Sequence, residues 1–208
     1  MGEAVSETDL VRAREEILRL AVRHGCHKLN NALTTLRAAA QSAVAGETVD
    51  QKLVKRIPGF VDAVARDVAA LHQSAVPSEG IGNPLPAYLL RDEVTALVRL
   101  ANRNAPVVDA ETSEHWGTYF AASFGDARLI LYSAALALLE SEPRLHLLMR
   151  ADADGSGGLW LGLGRRNPGG AAPKAERLAI AAAVAKAAGL EIEVPAAAAA
   201  FRLRLPPV

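Results

Sequence analysis

Residues 18–40 read LRLAVRHGCHKLNNALTTLRAAA. Leu18, Val22, Cys26, Leu29, Leu33, Leu36 and Ala40 recur at spacings of four, four, three, four, three and four. That alternation lays one apolar stripe along a helix. Outward from it, Ser6 followed by Asp9 supplies a start signal and Gly46 a stop, so a single helix is predicted over residues 8–45. Gly46, Glu47 and Thr48 form a turn, and Ile57, Val61, Val64, Val68, Leu71 and Ala75 predict a second helix. Pro58 is placed to kink that helix or to mark its first firm turn. Two long helices joined by a short turn lie antiparallel, and a lone hairpin leaves apolar surface wet. A second copy is the natural cover, giving a four-helix bundle in a homodimer.

With roughly 100° per residue, His27 falls about 160° from Leu29, on the face opposite the stripe. Asn31 stands one turn further on, and His24 and Thr34 flank the same face. A histidine there is offered to solvent or to a partner. Taken alone, that position is more often that of an idle surface histidine. His24, Cys26 and His27 do not converge as metal ligands, because Cys26 turns toward the stripe. His72, His115 and His146 are isolated.

Lys+Arg and Asp+Glu number 23 each, which leaves no electrostatic footprint for nucleic acid or anionic lipid. No apolar run is long enough to span a bilayer, and the acidic start MGEAVSETDLVRAREE is unlike a secretory signal. The single cysteine suits a reducing compartment. A cytoplasmic protein with a protein or small-molecule partner, and no membrane or nucleic acid, is expected.

Composition divides the chain into a hairpin over residues 1–76, a linker rich in Pro and Gly over 77–86 (PSEGIGNPLP) and a second domain over 87–208. The second domain mixes helix and strand. Helices are predicted at Tyr88–Ala101, at Ala127–Glu140 capped by Asp126, and at Glu176–Ala188 ended by Gly189. Strands are predicted at Val107–Val108, Thr118–Ser123, Leu145–Asp152, Leu159–Gly164, Leu190–Val194 and Phe201–Leu205, the last two as a hairpin. Residues 154–158 (DGSGG) form a turn; they lack the closing Glu of a calcium loop. The fold class is α+β, a helical hairpin followed by an α/β sandwich with its helices on one face.

The string His27-Lys28-Leu29-Asn30-Asn31-Ala32-Leu33 resembles the phosphoacceptor motif of histidine kinases, in which Asn or Thr follows the His by four positions. The chain's end, with Ala188-Gly189-Leu190-Glu191-Ile192-Glu193-Val194 and then Phe201-Arg202-Leu203-Arg204-Leu205-Pro206, resembles the close of the same family's ATPase domain. The resemblance implies His27 as acceptor and Asn31 as the group that orients its ring, with His24, Lys28, Asn30 and Thr34 meeting a partner. It also exposes departures. Lys28 stands where the family has an acid that takes a proton from the imidazole. No Asn for magnesium occurs in residues 126–140 (DARLILYSAALALLE), no Asp for adenine in 162–169 (GLGRRNPG), and no glycine opens the next helix at Ala175-Glu176-Arg177. Gly162 and Gly164 alone are a weak phosphate signal.

An acceptor-like hairpin joined to an ATPase-like domain without its site is similar to the dimeric histidine phosphotransferases of phosphorelays, the ChpT type. That implies transfer between response-regulator receiver domains through a phosphohistidine, with no ATP and no cofactor or metal of the chain's own. The alternative is a non-catalytic pseudokinase that binds a signalling partner without transfer. A nucleotide mode resting on Arg165, Arg166 and Lys174 is the third possibility.

Overall fold

The computed structural model describes residues 5–45, 51, 54–55, 57–62, 64–65, 68, 84–102, 108–166, 170–194 and 200–208. The turn expected at Gly46-Glu47-Thr48, the apolar positions Leu71 and Ala75, His72, Val107 and most of the expected linker lie outside them.

Helix α1 is Glu7–Val44. Ser6 and Asp9 close a reciprocal capping box, the Ser6 hydroxyl accepting the Asp9 N–H and the Asp9 carboxylate accepting the Ser6 N–H. Those Ser6 hydrogen bonds hold the Asp9 carboxyl below its ordinary range. Every described residue between 51 and 68 is helical, with Ile57, Phe60 and Val64 half-buried and Val54, Val61 and Val68 exposed.

The remainder runs β1 (Leu85–Pro86), α2 (Ala87–Ala101), β2 (Val108–Ala110), a 3-10 turn (Glu114–Gly117), β3 (Tyr119–Phe120), α3 (Phe124–Ser141), β4 (Leu147–Ala153), β5 (Leu159–Arg165), α4 (Ala175–Ala187), β6 (Glu191–Glu193) and β7 (Ala200–Leu205). β1 pairs with β3, Leu85 opposite Phe120. The other strands form a sheet in the order β2-β4-β5-β7-β6, parallel only between β2 and β4. Period-two alternation puts Leu147, Met149, Ala151, Leu159, Leu161, Leu163, Phe201, Leu203 and Leu205 into the core. Arg150, Trp160, Arg202 and Arg204 stay on the outer side, so the helices cover one face only, as the pattern predicts.

Asp126 is not the cap of α3. The Ser123 hydroxyl accepts the Asp126 N–H at 3.2 Å, so the helix begins at Phe124, which also shortens the strand expected to reach Ser123. Asp126 instead turns its carboxylate toward Arg14 on α1, 3.5 Å away. α3 is buried on nearly every side and mostly aliphatic, with Asp126, Arg128 and Ser133 as its buried polar residues, as a helix covered on two faces must be. The sheet lies on one side of it, α2 and α4 flank it, and α1 packs across it, with Ala13, Ile17 and Ala21 buried in the same core as Leu129, Leu136 and Leu163.

The β4–β5 turn is built around Asp154. Its carboxylate accepts the Ser156 and Gly158 N–H groups at 2.8 Å each and the Arg204 guanidinium at 2.9 Å. Gly155 and Gly157 take φ of 77° and 88°, which side-chain-bearing residues rarely adopt. Burial works to raise the Asp154 pKa, but these bonds outweigh it and bring it to about 2.

Candidate functional site: the free face of α1

α1 carries three longitudinal faces. The inward one holds Ala13, Ile17, Ala21 and, further on, Ala39. The apolar stripe read from sequence is a different face: Val22, Leu29 and Leu33 are 47%, 37% and 52% exposed in the single chain. Val11, Val22, Leu33 and Val44 recur along it every eleven residues, and all are exposed. The third face is polar and holds His27, Asn30, Asn31 and Thr34, all exposed.

On that face the Asn31 side-chain nitrogen lies 3.3 Å from His27 Nε2. The i, i+4 spacing on a regular helix makes the pair meet. An amide nitrogen donates only, so the contact is a hydrogen bond in the tautomer whose proton sits on Nδ1 and whose Nε2 accepts. The single lone pair of Nε2 then points at the Asn31 amide. Thr34 and Thr35 do not join the imidazole; their hydroxyls donate to the carbonyls of Asn30 at 2.8 Å and Asn31 at 3.0 Å. His24 and Lys28 are half-buried toward the inward side and are less open than His27. Cys26 is a free, exposed thiol, and among the described residues no group of three His, Cys, Asp or Glu side chains could hold a metal.

Around the region expected to hold nucleotide, the described residues pack on one another. α4 lies directly on α3, bringing Ile180, Ala181, Val184 and Ala185 into one core with its apolar side chains. The connection from β5 into α4 is tied down at both ends. Arg165, itself buried, donates to Ser141 Oγ at 3.3 Å and to the Ala171 carbonyl. The Lys174 N–H donates to the Ala137 carbonyl at 2.9 Å, and Arg166 pairs with Asp109 at 2.7 Å. The Arg165 and Arg166 side chains and the Lys174 backbone are thus engaged by the rest of the domain. Gly170, at φ 102°, sits where a Cβ would collide with the Arg165 guanidinium and the Glu142 carboxylate.

Sequence reading did not foresee the cluster joining α1 to the layer beneath it. The Tyr132 hydroxyl donates to one Glu16 oxygen at 3.1 Å, and Arg177 donates to the other at 3.2 Å and to Glu140 at 3.0 Å. Burial, and then the Glu16 charge, push the Tyr132 pKa far above its ordinary value. Burial draws the Arg177 pKa down, but the Glu16 and Glu140 carboxylates outweigh it and raise it. Nearby, a cleft of about 560 Å³ opens between Arg14, Ser123, Asp126, Gly189 and Pro206. The one available signal was a tyrosine midway along a helix rich in Leu and Ala, which when buried needs a partner for its hydroxyl.

No protein family and no curated protein matches the chain. Among solved structures it is similar to a blue-light activated histidine kinase from Erythrobacter litoralis, at 11% identity and TM-score 0.48, over 89% of this chain and 62% of that one. The chain therefore spans under two thirds of that kinase's length. It is also similar to a histidine kinase from Burkholderia phymatum, at 15% identity and TM-score 0.44, over 97% and 98% of the two chains. A bacterial phosphotransferase matches over 97% of both chains, at 13% identity and TM-score 0.40. Among the described residues no helix is long and apolar enough to cross a membrane.

Proposed function

We propose that the chain is a histidine phosphotransferase of a phosphorelay, a homodimer that takes a phosphoryl group from one receiver domain and gives it to another. The observation that carries this reading is the His27–Asn31 pair, 3.3 Å apart on the face of α1 that neither the core nor the apolar stripe uses. Neutral imidazole is a competent nucleophile toward phosphorus, and the rest of the catalysis is positioning. The Asn31 amide is released from Nε2, and the lone pair it had engaged attacks the phosphorus of an aspartyl phosphate on the receiver. The bond from phosphorus to the aspartyl oxygen breaks, and the carboxylate leaves with the electron pair. No proton need be removed from Nε2, so a carboxylate beside the histidine is dispensable and Lys28 is compatible with the step. The magnesium that screens the transferring group belongs to the receiver.

The tied-down β5–α4 connection and the absence of Asn from α3 support a chain that does not use ATP. The exposed apolar stripe, with Val54, Val61 and Val68, supports a second copy as its cover. The test is incubation of the full chain with phosphorylated receiver domains carrying labelled phosphate. Label on His27 that is acid-labile and base-stable is the expected result. Tight binding of a receiver with no label would favour a pseudokinase that acts by occupancy.

A further inference from the structure

We propose that Glu16 is a positioning residue that locks the rotation and register of α1 on the α/β layer, and so fixes the direction in which His27 faces. For its effect on transfer the proposal rests on the phosphotransferase reading; for the lock itself it does not. Ala13, Ile17 and Ala21 hold α1 against the layer, but apolar contact is non-directional. Another polar tie, Arg14 to Asp126 at 3.5 Å, is made by a side chain that is 59% exposed and restrains turning or sliding only weakly. Glu16 removes that freedom because its two oxygens go to two different helices, one to Tyr132 on α3 and the other to Arg177 on α4. Arg177 is in turn held by Glu140 on α3. Rotation of α1 would break both bonds and take its partner from the hydroxyl of Tyr132, which is 1% exposed.

Glu16 lies eleven residues before His27, about 16 Å along a helix rising 1.5 Å per residue. It touches no reacting group. Its action is geometric: with the clamp closed, a receiver that reaches His27 always meets the same part of the layer beside it.

The test uses the full chain carrying Cys26→Ala, with spin labels at Arg37→Cys on α1 and Glu176→Cys on α4, both exposed positions. Dilution with unlabelled chain isolates the distances within one copy. The parent should give one narrow distance distribution. Glu16→Ala should widen it by about twofold or more, and Tyr132→Phe, which keeps the ring, should give an intermediate width. If Glu16→Ala fails to fold, Tyr132→Phe decides. Distributions identical to the parent in the variants that fold would overturn the lock. With a phosphorylated receiver, Glu16→Ala should raise KM about fivefold, the worth of one net hydrogen bond, and leave the saturating transfer rate in place. A fall in the saturating rate at constant KM would overturn the positioning role. If no receiver labels the parent chain, the phosphotransferase reading fails while the distance measurement still decides the lock.

Discussion

Arg128 of α3 is 1% exposed and meets the carboxylate of Glu93 on α2 at 3.3 Å. Burial lowers the arginine's pKa and Glu93 opposes that fall, so the guanidinium remains charged inside the helical layer. Breaking a buried pair from one side leaves the other charge without compensation. Glu93→Ala should therefore cost about 3–5 kcal/mol, whereas Arg128→Met combined with Glu93→Met should be close to neutral. Urea unfolding of the three proteins checks this, and equal losses in the single and double variants would refute it.

Transfer chemistry should follow the His27–Asn31 pair. His27→Gln should abolish labelling by phosphorylated receivers and leave the melting temperature unchanged, because the side chain is exposed. Asn31→Ala should retain labelling but slow it by about three- to tenfold, the worth of one hydrogen bond. Label persisting in His27→Gln, or moving to His24, would show that the acceptor is another residue.

Association should depend on the exposed stripe. Light scattering of the wild-type chain should return twice 21.9 kDa. Leu33→Glu should return the monomer with its helical circular dichroism retained, because Leu33 is already half open within one copy. A wild-type monomer at tens of micromolar would remove the dimer.

Magnesium-ATP at millimolar concentration should not raise the melting temperature. A ligand present at about 100 times its dissociation constant adds roughly 2.7 kcal/mol of stability, which a thermal melt detects easily. A clear upward shift would mean that the β5–α4 connection opens to admit nucleotide.

Acid should act through Asp154. Its folded pKa of about 2 lies below the roughly 3.9 of an unfolded aspartate. The folded state thus binds the proton more weakly, and the stabilisation is complete above pH 4 and is lost as pH falls from about 4 toward 2. Asp154→Asn should be less stable than wild type at neutral pH, and the gap should narrow across that window. A gap independent of pH would mean that the charge on Asp154 is not what holds the turn.

Helix and strand positions in the second half were legible because period two and turn residues coincide there. Asp154 with Gly155 and Gly157 marks the β4–β5 turn, and Gly189, at φ 66°, ends α4. The Asp126 cap was misread because Ser123 offers an equally good acceptor three residues earlier, and only the approach of Arg14 explains what Asp126 does instead. The His27–Asn31 pair was legible from helical spacing alone. The docking of α1 was not. Its stripe of Leu, Val and Cys outweighs Ala13, Ile17 and Ala21 in hydrophobicity, yet the smaller side chains are the ones that let α1 approach the layer closely. The Leu- and Ala-rich positions that fall on every side of α3 were the overlooked sign, since a sheet on one side covers only half of such a helix.

Because α1 is the outer cover of α3, the part of this chain that can be transplanted does not begin at the Pro- and Gly-rich segment. A chimera that borrowed residues 87–208 alone would leave the Tyr132 hydroxyl and its aliphatic neighbours facing water. Grafting residues 6–24 along with them would restore that cover. Recombination at the apparent joint therefore has to carry part of the histidine-bearing helix with it, and the acceptor helix and the layer are inherited together.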